Sequence, residues 1–162
     1  MPSDLQVPTS PAAYPFQTEI RVRLSETDAV GIVYFGSFST YMDVGRMDFL
    51  NHLGLQHSFG HLGGPVRHLP PGAVVAAQVE FHSPARYNDC LAVHVRVAEL
   101  GRSSYTFHFL ITDKRAPRIV ATGRLVLVWL DAAFRPTAMP DEFRSAIETY
   151  QQAAARLGGG EP

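Results

Sequence analysis

Between Ser25 and Arg46 the chain reads SETDAVGIVYFGSFSTYMDVGR. One carboxylate, Asp28, stands in a mostly apolar stretch, three residues before Gly31 and just ahead of a segment with helical periodicity. Aspartates in turns commonly accept hydrogen bonds from nearby backbone N–H groups, so Asp28 has a purely structural reading. It also has a chemical one. A helix starting near Gly36 presents unpaired N–H groups and a partial positive charge. A carboxylate held against that end supplies a base or nucleophile on one side. On the other side are donors for a carbonyl oxygen that gains negative charge, which is the equipment of acyl transfer.

Other chemistries find less support. No G-x-S-x-G occurs, and the nearest approach, His57-Ser-Phe-Gly60, lacks the first glycine. Cys90 begins a strand with no activating neighbours in sequence and reads as a packed thiol. His57 and His61 are four apart with His52 nearby, but there is no H-E-x-x-H and too few cysteines for a zinc cluster, so no metal is expected. Gly60-His-Leu-Gly-Gly64 matches neither a P-loop nor a dinucleotide fingerprint, and no cofactor is expected. His82, His94 and His108 fall on strands as surface or half-buried polar residues.

The elements that must carry Asp28 follow from periodicity. Glu19–Leu24 alternates, with Ile20, Val22 and Leu24 on one face, and reads as a strand. From Ser37 to Leu53 the residues Phe38, Tyr41, Met42, Phe49, Leu50 and Leu53 form a helical stripe. Gly45 lies on that stripe, where it lets the helix approach a sheet closely, and Gly54 fits a C-terminal cap. Residues 54–72, rich in glycine, histidine and proline, read as a loop long enough to be functional or mobile, and its part over 56–64 is expected to shape a pocket. Four strands follow, roughly over 73–83, 91–98, 104–112 and 118–130, with short turns that favour antiparallel neighbours. Gly123 suggests a bulge or bend in the last of them. Residues 141–156 read as a closing helix. One central helix and a run of antiparallel strands predict an α+β domain, with the helix covering the apolar face of the sheet.

The chain of 162 residues suits one domain. The expected division is a loose arm over 1–17, where prolines are frequent, a single domain over 18–156, and a frayed tail over 157–162. A formal charge of -1 gives no reason to expect nucleic-acid binding. The start of the chain has neither the basic n-region nor the apolar core of a secretory signal, and the longest apolar run, Leu125 to Leu130, is too short for a bilayer. With a single cysteine, a reducing cytoplasm is the expected compartment.

Asp28-Ala-Val-Gly31-Ile-Val-Tyr-Phe35, followed by Phe38, Tyr41 and Gly45-Arg46, resembles the signature of the 4-hydroxybenzoyl-CoA thioesterase family. Pro84-Ala-Arg-Tyr-Asn-Asp89-Cys-Leu91 resembles the family's turn between two strands, and the resemblance runs over roughly residues 18–131. It implies a hotdog fold, a curved antiparallel sheet wrapped around one long helix, here with a further C-terminal helix. It also implies hydrolysis of an acyl-CoA thioester to a carboxylic acid and a free thiol at an interface between two subunits. The family's catalytic acid falls on Asp28, as nucleophile or general base, and its oxyanion donor on the backbone N–H of Phe35. Gly31, Val33, Tyr34 and Phe38 are then expected against the acyl group. The nucleotide-gripping hairpin of the family corresponds to Glu99–Ser104, where Arg102 is the sole cation, with Lys114, Arg115 and Arg118 as substitutes.

Two rivals stand beside this reading. One is a thioesterase acting on an acyl carrier protein, which the reduced basic hairpin favours and the acid at position 28 disfavours. The other is a non-catalytic hotdog that binds acyl thioesters. Asp43 and Arg46, three apart on one helix, are expected to pair for structure. A homodimer or homotetramer is expected, because one curved sheet leaves an open edge. No nucleic-acid or membrane partner is expected.

Overall fold

The computed structural model describes residues 6–55, 72–131 and 133–158. Its elements run β1 (Phe16–Arg21), α1 (Ser37–His52), β2 (Ala73–Phe81), β3 (Cys90–Leu100), β4 (Ser104–Asp113), β5 (Ile119–Val128) and α2 (Asp141–Gly158). The long loop after α1 and its histidines His57 and His61 lie outside the described residues over 56–71. The strands form one antiparallel sheet in the order β1-β3-β4-β5-β2.

Inward and outward residues alternate as the sequence pattern requires. Leu91, Val93, Val95 and Val97 of β3, with Tyr105, Phe107, Phe109 and Ile111 of β4, are buried on the inner face. Register shifts at Val74/Ala76, Val97/Glu99 and Ile111/Thr112 interrupt three ladders. Such bulges bend strands and raise their twist, which curves the sheet around α1. The stripe on α1 is buried at Phe38, Tyr41, Met42, Gly45, Phe49 and Leu50. Phe49 is enclosed by the edges of Phe16, Phe107 and Tyr150, so α1, the sheet and α2 share one core. Burying a phenylalanine contributes about 1.5–3 kcal/mol against leaving it exposed. This is the hotdog arrangement.

Gly45 does what its position on the stripe predicts. A Cβ built there would lie 2.7 Å from Val93 Cγ1 and 3.1 Å from Val95 Cγ2, closer than packed carbons tolerate.

Four expectations need correction. The strand expected over Glu19–Leu24 runs instead over Phe16–Arg21, and Leu24, expected on one face with Ile20 and Val22, is exposed at the start of a 3₁₀ turn. β2 and β3 are not neighbours although a short segment joins them; β2 pairs with β5 at one edge, and Pro84–Asp89 crosses to the other side of the sheet. Nothing in the residues Pro-Ala-Arg-Tyr-Asn-Asp separates a hairpin from a crossover, and the wide sheet needs the crossover to reach both edges of α1. Gly123 sits in regular register with Phe109 and Val79 rather than at a bulge. Its lack of a side chain instead makes room for Met42 of α1, whose sulfur a Cβ would strike. The arm is also not loose throughout. Val7 and Tyr14 are buried against Leu110 on the outer face, Tyr14 Oη donates to Pro8 O at 2.6 Å, and Tyr150 Oη donates to Pro15 O at 2.8 Å. Tyr14 also covers His94, which is consequently buried and bonded to Thr112 Oγ1.

At the sheet end nearest the start of α1, Arg118 clasps two turns. It donates to Asp89 Oδ2 at 3.3 Å, to Asp113 Oδ2 at 2.7 Å and to the carbonyl of Pro84. Burial alone would push the Asp113 carboxyl up. The Arg115 amide and the Arg118 guanidinium outweigh it and hold Asp113 below the usual carboxylate range. No helix among the described residues is long and apolar enough to cross a membrane.

Two outcomes follow. Gly45→Val is expected to lower stability by about 1–3 kcal/mol through overpacking, read as a fall in thermal midpoint. Arg118→Ala is expected to cost about 1–3 kcal/mol at neutral pH. Because the Asp113 carboxyl is depressed, its contribution is present above the unfolded value near 4 and disappears as pH falls through the folded value. Acid titration of thermal stability should therefore be flatter in Arg118→Ala than in the unaltered chain.

Candidate active site

The segment from Leu24 to Gly36 folds as a small hairpin that leads into α1. Leu24–Glu26 makes a 3₁₀ turn, and Thr27 bridges Val33 in antiparallel fashion. Asp28 N donates to Ile32 O at 2.9 Å and Gly31 N to Asp28 O at 3.0 Å, closing the tip. Gly31 adopts φ +84°, a conformation costly for any residue with a Cβ, which explains the glycine. Val33, buried, donates its N–H to Ala85 O at 2.8 Å, so the β2–β3 crossover braces the hairpin from below.

Asp28 is half-buried and does serve its own turn: Oδ1 accepts from Val30 N at 2.9 Å and from Ile32 N at 3.4 Å. Its second oxygen, Oδ2, has no hydrogen bond among the described residues. The structural and chemical readings of Asp28 are thus compatible, since one oxygen anchors the side chain and the other is left over.

α1 begins without a side-chain cap. Gly36 occupies the cap position with helical angles, and no acid stands in the first turn. The amides of Ser37, Phe38 and Ser39 turn back to the carbonyls of Tyr34, Phe35 and Gly36 at 2.9, 3.3 and 3.3 Å. That leaves the N–H groups of Phe35 and Gly36 with no acceptor among the described residues. The Tyr34 ring lies over Gly36, where a Cβ would come within 2.5 Å of Tyr34 Cε1.

Glu26 ties these parts together, and the sequence pattern missed it. Its carbonyl accepts from Tyr34 N at 2.9 Å and from Ser37 Oγ at 3.2 Å. Its carboxylate accepts from Tyr41 Oη at 2.8 Å and from Arg23 N at 2.9 Å. One residue thereby fixes the strand before Asp28 to the first two turns of α1. Burial, and then the bond to Glu26, hold the Tyr41 hydroxyl well above the usual tyrosine range, so it remains a donor. The available signal was Tyr41 itself: a hydroxyl on a buried stripe demands an acceptor.

The expected site residues divide accordingly. Asp28, Gly31, Val33, Tyr34 and Phe35 share the hairpin. Tyr34 and Phe35 are exposed and stack on each other at 4.5 Å, whereas Val33 is buried. Phe38 is core rather than wall: it is 3% exposed and packs edge-on against Tyr41 and Phe81. Arg102 is exposed at the β3–β4 hairpin. Within one chain it lies at the opposite end of β3 from the Ala85 brace, a span of roughly 30 Å at strand rise. Of its substitutes, Lys114 pairs with Glu19 and Arg118 is engaged in its clasp, which leaves Arg115 unpaired among the described residues. Arg46 pairs with Asp43 as expected, at 2.5 Å. Among the described residues no cluster of histidine, cysteine and acids could hold a metal, and Cys90 is half-buried and free.

The fold is a hotdog, and comparison with known proteins makes the chain a thioester hydrolase of that class. The profile of the thioesterase-like superfamily matches residues 22–147, and the chain belongs to that family. It is 24% identical over 137 residues to the acyl-CoA thioester hydrolase YbgC of Escherichia coli, covering 85% of this chain and 96% of that one. A chloroplastic acyl-acyl carrier protein thioesterase of Arabidopsis thaliana is 28% identical over 131 residues, covering 80% of this chain and 65% of that one. A Thermus thermophilus thioesterase solved with coenzyme A and zinc superposes with a TM-score of 0.71 at 26% identity, covering 86% of this chain and 96% of that one.

Tyr41→Phe removes the donor to Glu26 while keeping the ring. It is expected to cost about 1 kcal/mol in thermal or denaturant unfolding, the size of one hydrogen bond.

Proposed function

We propose that the chain hydrolyses acyl-CoA thioesters, with Asp28 as base or nucleophile and the N–H groups of Phe35 and Gly36 as the oxyanion site. The observation that carries this reading is the coincidence of two unsatisfied groups on one braced hairpin: the Oδ2 oxygen of Asp28 and the paired free amides at the head of α1. Preorganised N–H donors aimed at a developing oxyanion contribute about 2.7–4 kcal/mol each to the barrier. They need no reorganisation here, because Glu26 and Ala85 fix the backbone on both sides. The thioester carbonyl oxygen lies against the amides. Asp28 either takes a proton from the water that attacks the carbonyl carbon, or attacks that carbon itself to form an acyl-aspartyl anhydride that water then hydrolyses; in both cases the C–S bond breaks and the thiolate leaves.

The site is completed by a second copy of the chain. β2 lies at an open edge of the sheet with Val74, Val75 and Phe81 exposed, and a long apolar edge strand is a template for pairing. Val30, Tyr34 and Phe35 are also exposed at the hairpin. An isologous dimer covers both apolar surfaces and encloses the thioester. In that dimer Arg102 meets the nucleotide of a substrate bound at the other copy's hairpin.

A carrier-protein thioester is the second reading. The curated plant relative acts on acyl-acyl carrier protein by name, and Arg102 is the only cation on the β3–β4 hairpin.

Thiol release from a panel of acyl-CoA substrates tests the proposal. Asp28→Asn is expected to reduce kcat about 10²–10⁴-fold with the circular dichroism spectrum unchanged. Equal activity of the variant removes Asp28 from the mechanism. Faster release from the same acyl group on a carrier protein than on CoA decides for the second reading.

A further inference from the structure

The outer face of the sheet carries a row of side chains that the hydrolytic site does not use. β3 and β4 set Arg96 opposite His108, and β4 and β5 set His108 opposite Arg124. Directly opposed residues have Cβ atoms about 5 Å apart, so His108 stands between the two cations. All three side chains are half-buried, which strengthens the field of the two guanidiniums. Neither guanidinium has an ion-pair or hydrogen-bond partner among the described residues, whereas the other half-buried arginines, Arg46, Arg118 and Arg144, each hold an acid or a carbonyl. His108 Nδ1 is buried and has no partner among the described residues. Gln78 of β2 stands opposite Arg124, Glu80 lies two residues further along β2 opposite Thr122, and Glu99, whose charge acts on His108, makes its hydrogen bond with Thr106 at 3.5 Å.

Arg96 joins this row to a cavity of about 350 Å³. Its walls are Ala12, Ala13 and Pro15 of the docked arm and Gln151, Ala154 and Ala155 of α2. Gln151 Oε1 accepts from Val97 N at 3.0 Å, which turns the amide NH₂ into a further donor on the wall. The cavity is within the size range of small-molecule sites, and its polar groups are donors.

We propose that Arg96, His108 and Arg124, with the adjoining cavity, bind a phosphate-bearing anion on the face of the sheet opposite α1. Two guanidiniums with an imidazole between them match the donor pattern that phosphate oxygens require, and a bound dianion supplies the counter-charge that both guanidiniums lack. Desolvation, then Arg96 and Arg124, hold His108 below the usual histidine range against the opposing pull of Glu99. The unliganded imidazole is therefore neutral at neutral pH. A dianion beside it favours the protonated form, so binding raises the His108 pKa and strengthens as pH falls. The inference is independent of any role for Asp28.

The test follows the ring proton signals of His108 in the full chain, assigned with His108→Gln, during titration with sodium pyrophosphate at constant ionic strength. Saturable shifts and a raised His108 titration midpoint are expected. Arg96→Gln and Arg124→Gln should each weaken binding about tenfold, while Arg135→Gln, an exposed cation elsewhere, should not. Coenzyme A and dephospho-coenzyme A separate the sources. A response to the first alone assigns the row to the 3′-phosphate, equal responses assign it to the diphosphate, and a response to pyrophosphate alone assigns it to a free phosphate ligand. A His108 midpoint unmoved by all three, or equal weakening by Arg135→Gln, overturns the proposal.

Discussion

Everything about the site rests on how closely α1 lies against the sheet. Two glycines on opposite sides of that contact make the distance possible. Gly45 gives the helix backbone room against Val93 and Val95, and Gly123 gives Met42 room against the sheet. A Cβ at either position would push the helix outward or displace its neighbours. The head of α1 would then move relative to Ala85 and Glu26, and the amides of Phe35 and Gly36 would lose their fixed direction.

The hairpin ahead of α1 shows how a structural and a reactive role share one residue. A carboxylate free to rotate would lose much of its effect, since positioned groups react far faster than mobile ones. Here one oxygen of Asp28 is spent on the Val30 and Ile32 amides, and that bond orients the other. Around it, Gly31 supplies the positive φ, Ala85 anchors Val33, and Glu26 reaches to Tyr34, Ser37 and Tyr41. The missing side-chain cap belongs to the same design. With no cap side chain at position 36, the Ser37, Phe38 and Ser39 amides turn back to the Tyr34, Phe35 and Gly36 carbonyls, and the Phe35 and Gly36 amides just ahead of the helix have no acceptor among the described residues.

The exposed apolar surface is unevenly distributed. β2 exposes Val74, Val75 and Phe81, and the hairpin exposes Val30, Tyr34 and Phe35, while the inner faces of β3 and β4 are closed. An isolated curved sheet with one central helix has no further element to cover these surfaces. The outer face is different in kind: the arm covers its apolar part at Leu110, and the remainder carries the Arg96–His108–Arg124 row.

Periodicity alone determined the helix at Ser37–His52 to within a residue, because its stripe repeats at 3.6 residues and its buried members share one face. β3, β4 and β5 were legible for the same reason, as period-two alternation survives wherever one face is buried; the alternation over Glu19–Leu24 misplaced β1, which ends at Arg21 before the chain turns at Leu24. Asp28, Gly31 and the open amides at the head of α1 could be read from residue type, spacing and the known deficit of helix ends. Pairing order was not legible: Pro84–Asp89 looks alike as a hairpin or a crossover, and only the demand to flank α1 on both sides selects the crossover. Nor was the function of Gly123, which depends on Met42 from a segment far away in sequence, nor that of Glu26, whose partners lie across the hairpin and along α1. Phe38 was placed in the core by Phe81 of β2, and Arg102 was placed far from Asp28 by the length of β3. Local order follows from the backbone and the side-chain period, which the sequence carries directly; which distant surfaces meet depends on closing the sheet around the helix, and that is decided only when the whole chain packs.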